Sequence, residues 1–274
     1  MSGRRALLRG LCLAALAAAT SAAAENHPVT RSGPPRGTLL IVGGGAMGGL
    51  WDIFLRLSGG KDSEFVVIPT AAETVEGEDA VLGLLRARGA VRVTQLHTRD
   101  RATADSEAFC APLRSARAVW ITGGRQWRLS DAYLGTRVQR ELEALLARGG
   151  VIGGSSAGAT IQGSYLVRGS PRDNRIMMSP GHEEGFGFLR GSAIDQHVDT
   201  RGRDEDLRPV LRAHPALLGV GLDEATAIIV RGDEAEVAGR GRARFFAAPE
   251  AAAHVLRAGE RFDLGARRPS AASR

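Results

Sequence analysis

The segment Gly153-Gly154-Ser155-Ser156-Ala157-Gly158-Ala159, entered from the apolar pair Val151-Ile152, limits what this chain can fold into more than any other stretch. It reads as a strand that stops, turns sharply through small residues and enters a helix, with Ser156 at the centre of Gly-x-Ser-x-Gly. That is the spacing of a nucleophile elbow. The turn holds the serine in a strained backbone conformation, and Cβ atoms beside it would clash as the hydroxyl is pushed clear of the sheet. The helix start behind it supplies free N–H groups and the positive end of a dipole. An ordinary glycine-rich turn has the same local pattern, so the rest of the chain decides.

The flanking pattern is regular. Short apolar strands are expected at 38–42, 65–69, 91–96 and 118–122, with helices at 47–57, 80–88 and 136–148. Short apolar strands alternating with helices of about three turns indicate a mostly parallel sheet flanked by helices, an α/β fold. Ligands of such sheets bind beyond the carboxyl ends of the strands. Three glycine-rich strand ends, at 43–45, 123–124 and 153–154, are therefore expected to meet at one rim. After about residue 220 the alternation changes to paired strands at 227–230, 234–237 and 242–246, a β-rich C-terminal end. The expected organisation is a signal peptide over 1–24, an extended proline-bearing leader over 25–36, one catalytic domain over 37–264 and a loose tail over 265–274.

The signal peptide is read from Arg4 and Arg5, the apolar run at 11–19 and the small-residue cleavage site Ala22-Ala23-Ala24 before Glu25. Residues 3–8 also have the look of a twin-arginine export signal. Export to the periplasm or medium is expected, with no membrane association of the mature form, because no later segment approaches the roughly 20 apolar residues of a span. Removing the leader takes away three arginines and no acid, so the formal charge falls from +6 to +3. No basic run is interleaved with aromatics, and nucleic acid is excluded as a partner. Cys12 leaves with the leader and Cys110 remains alone, so neither an intrachain disulfide nor a cysteine zinc site can form.

A Gly-x-Gly-x-x-Gly match stands at Gly43, Gly45 and Gly48. Dinucleotide binding would require an acid at the end of the second strand, where Pro69-Thr70 stands instead, so no nicotinamide cofactor is expected. A serine hydroxyl needs a base, and the base needs an orienting group. His197 lies in the polar run Asp195-Gln196-His197-Val198-Asp199-Thr200-Arg201-Gly202-Arg203 and is the first choice, with His182 its rival. Glu224, leaving the apolar strand Gly219-Val220-Gly221-Leu222, is the expected acid, with Asp223 the alternative. The order serine, histidine, acid differs from that of α/β-hydrolases, which points to another lineage. Backbone N–H groups stabilise an oxyanion, and the residue after the nucleophile, Ala157, together with the Gly124-Arg125 turn, is expected to supply them.

Taken in order, Gly43-Gly44-Gly45, residues 121–126, residues 154–159, Asp195-Gln196-His197 with Arg201 and Arg203, and residues 221–227 resemble the peptidase S51 family. The resemblance runs from about residue 37 to residue 246. It implies a serine hydrolase on a class I glutamine-amidotransferase-like fold, dimeric, with no metal or other cofactor. Ser156, His197 and Glu224 match the family's triad. Gln126, Asp195, Gln196, Arg201 and Arg203 match its substrate pocket. The implied substrate is cyanophycin, a polyaspartate carrying arginine on each β-carboxyl, or another β-aspartyl peptide; Asp195 is then expected to meet a substrate guanidinium. Two positions reverse a charge of the family pattern: Asp206 stands for an arginine, and Arg125 for an acid.

Overall fold

The computed structural model describes residues 31–271; the expected signal peptide and the first part of the leader lie outside the described residues. The elements run β1 (Thr38–Val42), α1 (Leu50–Leu57), β2 (Glu64–Ile68), α2 (Ala80–Ala87), β3 (Arg92–Gln95), α3 (Arg101–Asp105), α4 (Glu107–Ser115), β4 (Ala118–Ile121), α5 (Gln126–Tyr133), α6 (Arg137–Ala147), β5 (Val151–Ser155) and α7 (Ala157–Thr160). The second half continues with β6 (Gly163–Tyr165), β7 (Leu189–Asp195), α8 (Val198–Arg201), α9 (Leu207–Ala213), β8 (Leu218–Leu222), β9 (Thr226–Arg231), β10 (Glu234–Gly239), β11 (Ala243–Phe246), β12 (His254–Leu256), β13 (Arg261–Asp263) and β14 (Arg268–Pro269).

Among the described residues fourteen strands form two sheets. The larger has the order β14-β13-β10-β9-β1-β5-β4-β2-β3 and the smaller β12-β11-β8-β7-β6. Strands β1, β5, β4, β2 and β3 pair in parallel, as their apolar runs suggest. From β9 onward the main sheet is antiparallel, so it is mixed, with its parallel half in the first 155 residues. The smaller sheet repeats that mixture and is not visible in the sequence pattern. The pairing of β14 with β13 puts a strand inside the expected tail over 265–274.

The inner parallel strands β1, β2 and β4 are apolar along most of their length because both faces are covered, whereas β3, at the sheet edge, carries Arg92, Thr94 and Gln95. Leu40 and Val42 face α1 and α2 with Trp51, Phe54, Leu82, Leu85 and Trp120. Leu39 and Ile41 face α4, α6 and the smaller sheet, sharing a core with Leu113, Leu142, Ile194, Val220 and Phe245. Gly153 is a packing requirement of this arrangement. A Cβ there would lie 2.5 Å from Trp120 Cε3 and 2.9 Å from Phe54 Cε2, whose rings sit 5.0 Å apart in an edge contact. Among the described residues no helix is long and apolar enough to cross a membrane.

The connection from β8 to β9 crosses from the smaller sheet to the larger one through Asp223, Glu224 and Ala225. The carboxyl ends of β1, β4 and β5 in one sheet and of β7 and β8 in the other converge on this crossing. A site here draws on both sheets.

Candidate active site

Ser156 follows β5 with φ 54° and ψ −114°, a conformation that side chains rarely adopt. Its N–H donates to Val42 O at 3.1 Å, which pins the turn to β1. The flanking glycines are explained by what a Cβ would meet. On Gly154 it would run into Gly158 O, and on Gly158 into Ile121 O, so strand, turn and helix α7 pack backbone to backbone. The expected elbow is present.

His197 follows β7 in the left-handed region at φ 55°. Its N–H donates to Gly43 O at 2.9 Å, fixing it over the end of β1. Ring Nε2 lies 2.9 Å from Ser156 Oγ, and ring Nδ1 lies 2.5 Å from Glu224 Oε1. The consistent assignment has Nδ1–H donating to Glu224 and the Ser156 hydroxyl donating to Nε2. Thr200 Oγ1 adds a bond to Glu224 Oε1 at 3.2 Å, and the Glu224 N–H donates to Asp199 Oδ1 at 2.9 Å. Helix α8, the single turn that begins directly after His197, thereby steadies the acid.

The Gly43-Gly44-Gly45 cluster, which sequence alone leaves beside a dinucleotide motif, has another purpose. A Cβ on Gly44 would sit 2.7 Å from His197 Nε2, and one on Gly45 would sit 2.5 Å from Glu224 Oε2. Imidazole and carboxylate rest directly on the backbone. By contrast a Cβ on Gly48, the last glycine of the dinucleotide pattern, would meet nothing within 4 Å.

Burial drives the His197 pKa below its ordinary value of 6.5, and the hydrogen bond to Glu224, which pulls the other way, does not restore it. The imidazole is neutral at pH 7, as a proton acceptor must be. Glu224 is held below its ordinary value of 4.5, first by its hydrogen bond to His197. The two alternatives are separated by geometry. Asp223, buried, accepts from Arg244 Nη1 at 2.5 Å and from the Arg242 N–H at 2.9 Å, and turns away from His197. His182 pairs with Asp131 at 3.0 Å.

Two expectations need correction. Arg125 was expected to offer a backbone donor to an oxyanion, but its N–H is taken by Ala71 O at 2.8 Å and its Nη2 by Ser170 O at 2.6 Å. Gly124, exposed and next to it, and Ala157, the first residue of α7, remain as donors; a helix leaves its first N–H groups without internal acceptors. A Cβ on Gly123 would stand 3.4 Å from Ser156 Cβ, which places this turn against the serine.

The second correction concerns Asp195. It is wholly buried, and its carboxylate accepts from Arg168 Nε at 2.8 Å, Arg168 Nη2 at 2.9 Å and the Gln196 N–H at 2.9 Å. No face is left for a substrate guanidinium. Gln196 and Arg203 are buried beside it, with Arg203 Nη1 donating to Gln196 O at 2.9 Å and Oε1 at 3.1 Å. Gln126 is buried and donates to Val167 O at 2.8 Å. These side chains are buried on protein partners, and Arg201 is the exposed member of the expected pocket. Arg168, the buried cation paired with Asp195, carries no sequence signal: the stretch from 166 to 188 has no periodicity or motif. Among the described residues no group of histidine, cysteine and acidic side chains could hold a metal ion.

The family model of peptidase family S51 matches residues 39–238, a span that contains the serine, the histidine and the acid just described. The chain belongs to peptidase family S51. Membership makes it a serine-type peptidase. It is 30% identical over 197 residues to the cyanophycinase of Geminocystis herdmanii, covering 69% of this chain and 71% of that one. It is 30% identical over 201 residues to the cyanophycinase of Trichormus variabilis, and 31% identical over 194 residues to that of Synechococcus elongatus. The aligned region spans 64% and 60% of those two relatives, less than two thirds of their length. Among solved structures, a peptidase from an acI-B1 actinobacterium superposes with a TM-score of 0.66 at 24% identity, over 85% of this chain and 98% of that one. A putative peptidase E from Listeria monocytogenes gives 0.55 at 17% identity, over 75% and 99%. Both share the fold.

Proposed function

We propose that this chain is an exported serine peptidase that cleaves cyanophycin or a related β-aspartyl peptide through an acyl-enzyme on Ser156. The observation that carries the reading is the line Ser156 Oγ, His197 Nε2, His197 Nδ1, Glu224 Oε1, closed at 2.9 and 2.5 Å. Ser156 Oγ attacks the carbonyl carbon of the scissile amide while Nε2 takes its proton, and Glu224 holds the imidazolium that forms. The carbonyl oxygen gathers negative charge opposite the N–H groups of Ala157 and Gly124. The C–N bond breaks as Nε2 returns the proton to the leaving nitrogen. Water then attacks the ester, again losing its proton to Nε2, and the acid product and free Ser156 are restored.

Cyanophycin enters through the relatives, which are cyanophycinases. On that substrate the scissile bond is a backbone aspartyl amide, and the product is the β-aspartyl-arginine dipeptide. A second reading, an aspartyl dipeptidase of the same family, is favoured by one observation: Asp195 is closed to a ligand guanidinium by Arg168. Export through the 1–24 leader and dimerisation belong to the proposal and are checked by cell fractionation and by sedimentation of the mature chain.

The test is incubation of the protein lacking residues 1–24, beside its Ser156→Ala form, with purified cyanophycin and with free aspartyl and β-aspartyl dipeptides, followed by mass spectrometry. Serine-dependent release of β-aspartyl-arginine from the polymer supports the first reading. Cleavage of dipeptides with the polymer left intact supports the second. Turnover that survives Ser156→Ala overturns both.

A further inference from the structure

Arg168 has one of the largest side chains that is fully buried, 2% exposed, and it is held at a left-handed φ of 57°. It lies outside any strand, yet its guanidinium is almost saturated. Nε and Nη2 make a fork onto Asp195, Nη2 also reaches Asp206 Oδ2 at 2.5 Å, and Nη1 donates to Asn174 O at 3.1 Å. Asp195 is the last residue of β7 and Asp206 is the residue before α9. Between these two carboxylates lies the whole segment that carries His197, Thr200, Arg201 and Arg203.

We propose that Arg168 is a positioning residue that ties the two ends of segment 195–206 and thereby holds His197 on Ser156. This rests on the reading of Ser156 as the nucleophile. His197 keeps a left-handed backbone without being glycine, a conformation that persists only where its surroundings over-determine it. One anchor is the backbone bond from His197 N to Gly43 O, and the other is the fixed separation of Asp195 and Asp206 on a single planar cation. Only a guanidinium serves, because its donors reach two carboxylates in fixed directions while an ammonium is a point charge. Asp206 takes part directly: its carboxylate, half-exposed, is the second partner of the buried guanidinium.

The test measures how fast Ser156 is acylated by a fluorophosphonate probe across pH, together with the nitrogen resonances of the His197 ring. Arg168→Ala that keeps its far-ultraviolet dichroism should label about 100-fold more slowly, the effect expected of a misplacement of about 1 Å. Millimolar guanidinium ion should restore at least a tenth of the lost rate by entering the vacated space, and Arg168→Lys should not match the parent. A folded Arg168→Ala that labels within threefold of the parent, or whose loss guanidinium leaves untouched, overturns the proposal. If Arg168→Ala does not fold, Asp206→Asn decides: it removes one end of the tie at a half-exposed position, and should slow labelling several-fold and move the acid limb of the pH profile, whereas an unchanged rate and profile refute the tie. A parent protein that fails to label sinks the nucleophile reading instead. The ring resonances then decide alone, since Arg168→Ala shifts them if the tie holds and leaves them in place if it does not.

Discussion

Gly44→Ala should disable the site while leaving the fold intact. The added Cβ would overlap His197 Cε1, the nearest ring atom, and lie 2.7 Å from Nε2 and 2.8 Å from Nδ1, where ordinary contact needs about 3.5 Å, so the ring must retreat by roughly 1.3 Å. Its bond to Ser156 is 2.9 Å long at present, and such a bond is lost within that range. A misplacement near 1 Å lowers rates about 100-fold, and removal of a general base altogether lowers them by roughly 100- to 10,000-fold. The backbone adds a second effect, because Gly44 has a φ of 114°, where an L side chain is strained by about 1–3 kcal/mol. The assay compares kcat/KM and the urea midpoint of Gly44→Ala with those of Gly48→Ala, whose Cβ meets nothing although φ is also positive. Gly44→Ala should lose about 100-fold or more in kcat/KM, and Gly48→Ala should lose only a little stability. A Gly44→Ala protein within fivefold of the parent refutes the claim that His197 rests on that backbone. Equal losses in the two variants would refute it as well, by pointing to backbone strain alone.

Glu224→Gln should cut kcat by about 10,000-fold, as loss of the orienting carboxylate does where the geometry survives, with an unchanged melting temperature. Asp223→Asn should do the reverse, sparing chemistry but destabilising the fold by about 1.5–3 kcal/mol, because buried Arg244 loses its closest counter-charge and keeps only Asp204; denaturant melts beside kcat separate the two. Activity should fall as pH drops through the His197 pKa, which burial sets below 6.5, since only neutral imidazole accepts the proton; an acid limb centred above 6.5 in the kcat/KM profile contradicts this. The same sign holds for stability. A histidine whose folded pKa is depressed favours the fold above its unfolded value, and that contribution is lost as pH falls through the folded one.

What could be read from the sequence was local. The elbow and the parallel strands are visible because their signals lie within ten residues of one another, and β1 to β5 fell where the apolar runs stand. The smaller sheet was not visible because β6 has three residues and its partner β7 follows a long irregular stretch. Gly44 and Gly45 look like a nucleotide turn because their true partners, His197 and Glu224, lie roughly 150 to 180 residues away. Adjacent acids leaving a strand point to opposite sides, which is why Asp223 turns inward to Arg244 while Glu224 faces His197; the pattern says that one of them is buried and cannot say which. Arg168 had no signal because a cation in an aperiodic loop reads as surface until its carboxylates are seen. For the same reason Asp195 reads in the sequence as a ligand for substrate, while in the structure it is the partner of this arginine.

The most direct test of the central claim is intact-mass and peptide-mapping analysis after a serine-directed acylating probe, on the parent and on His197→Ala. The account expects one adduct per chain, on the peptide containing Ser156, formed at least 100-fold faster in the parent. Absence of an adduct at Ser156, or labelling that does not depend on His197, would contradict it and leave a protein that binds aspartyl peptides without cutting them.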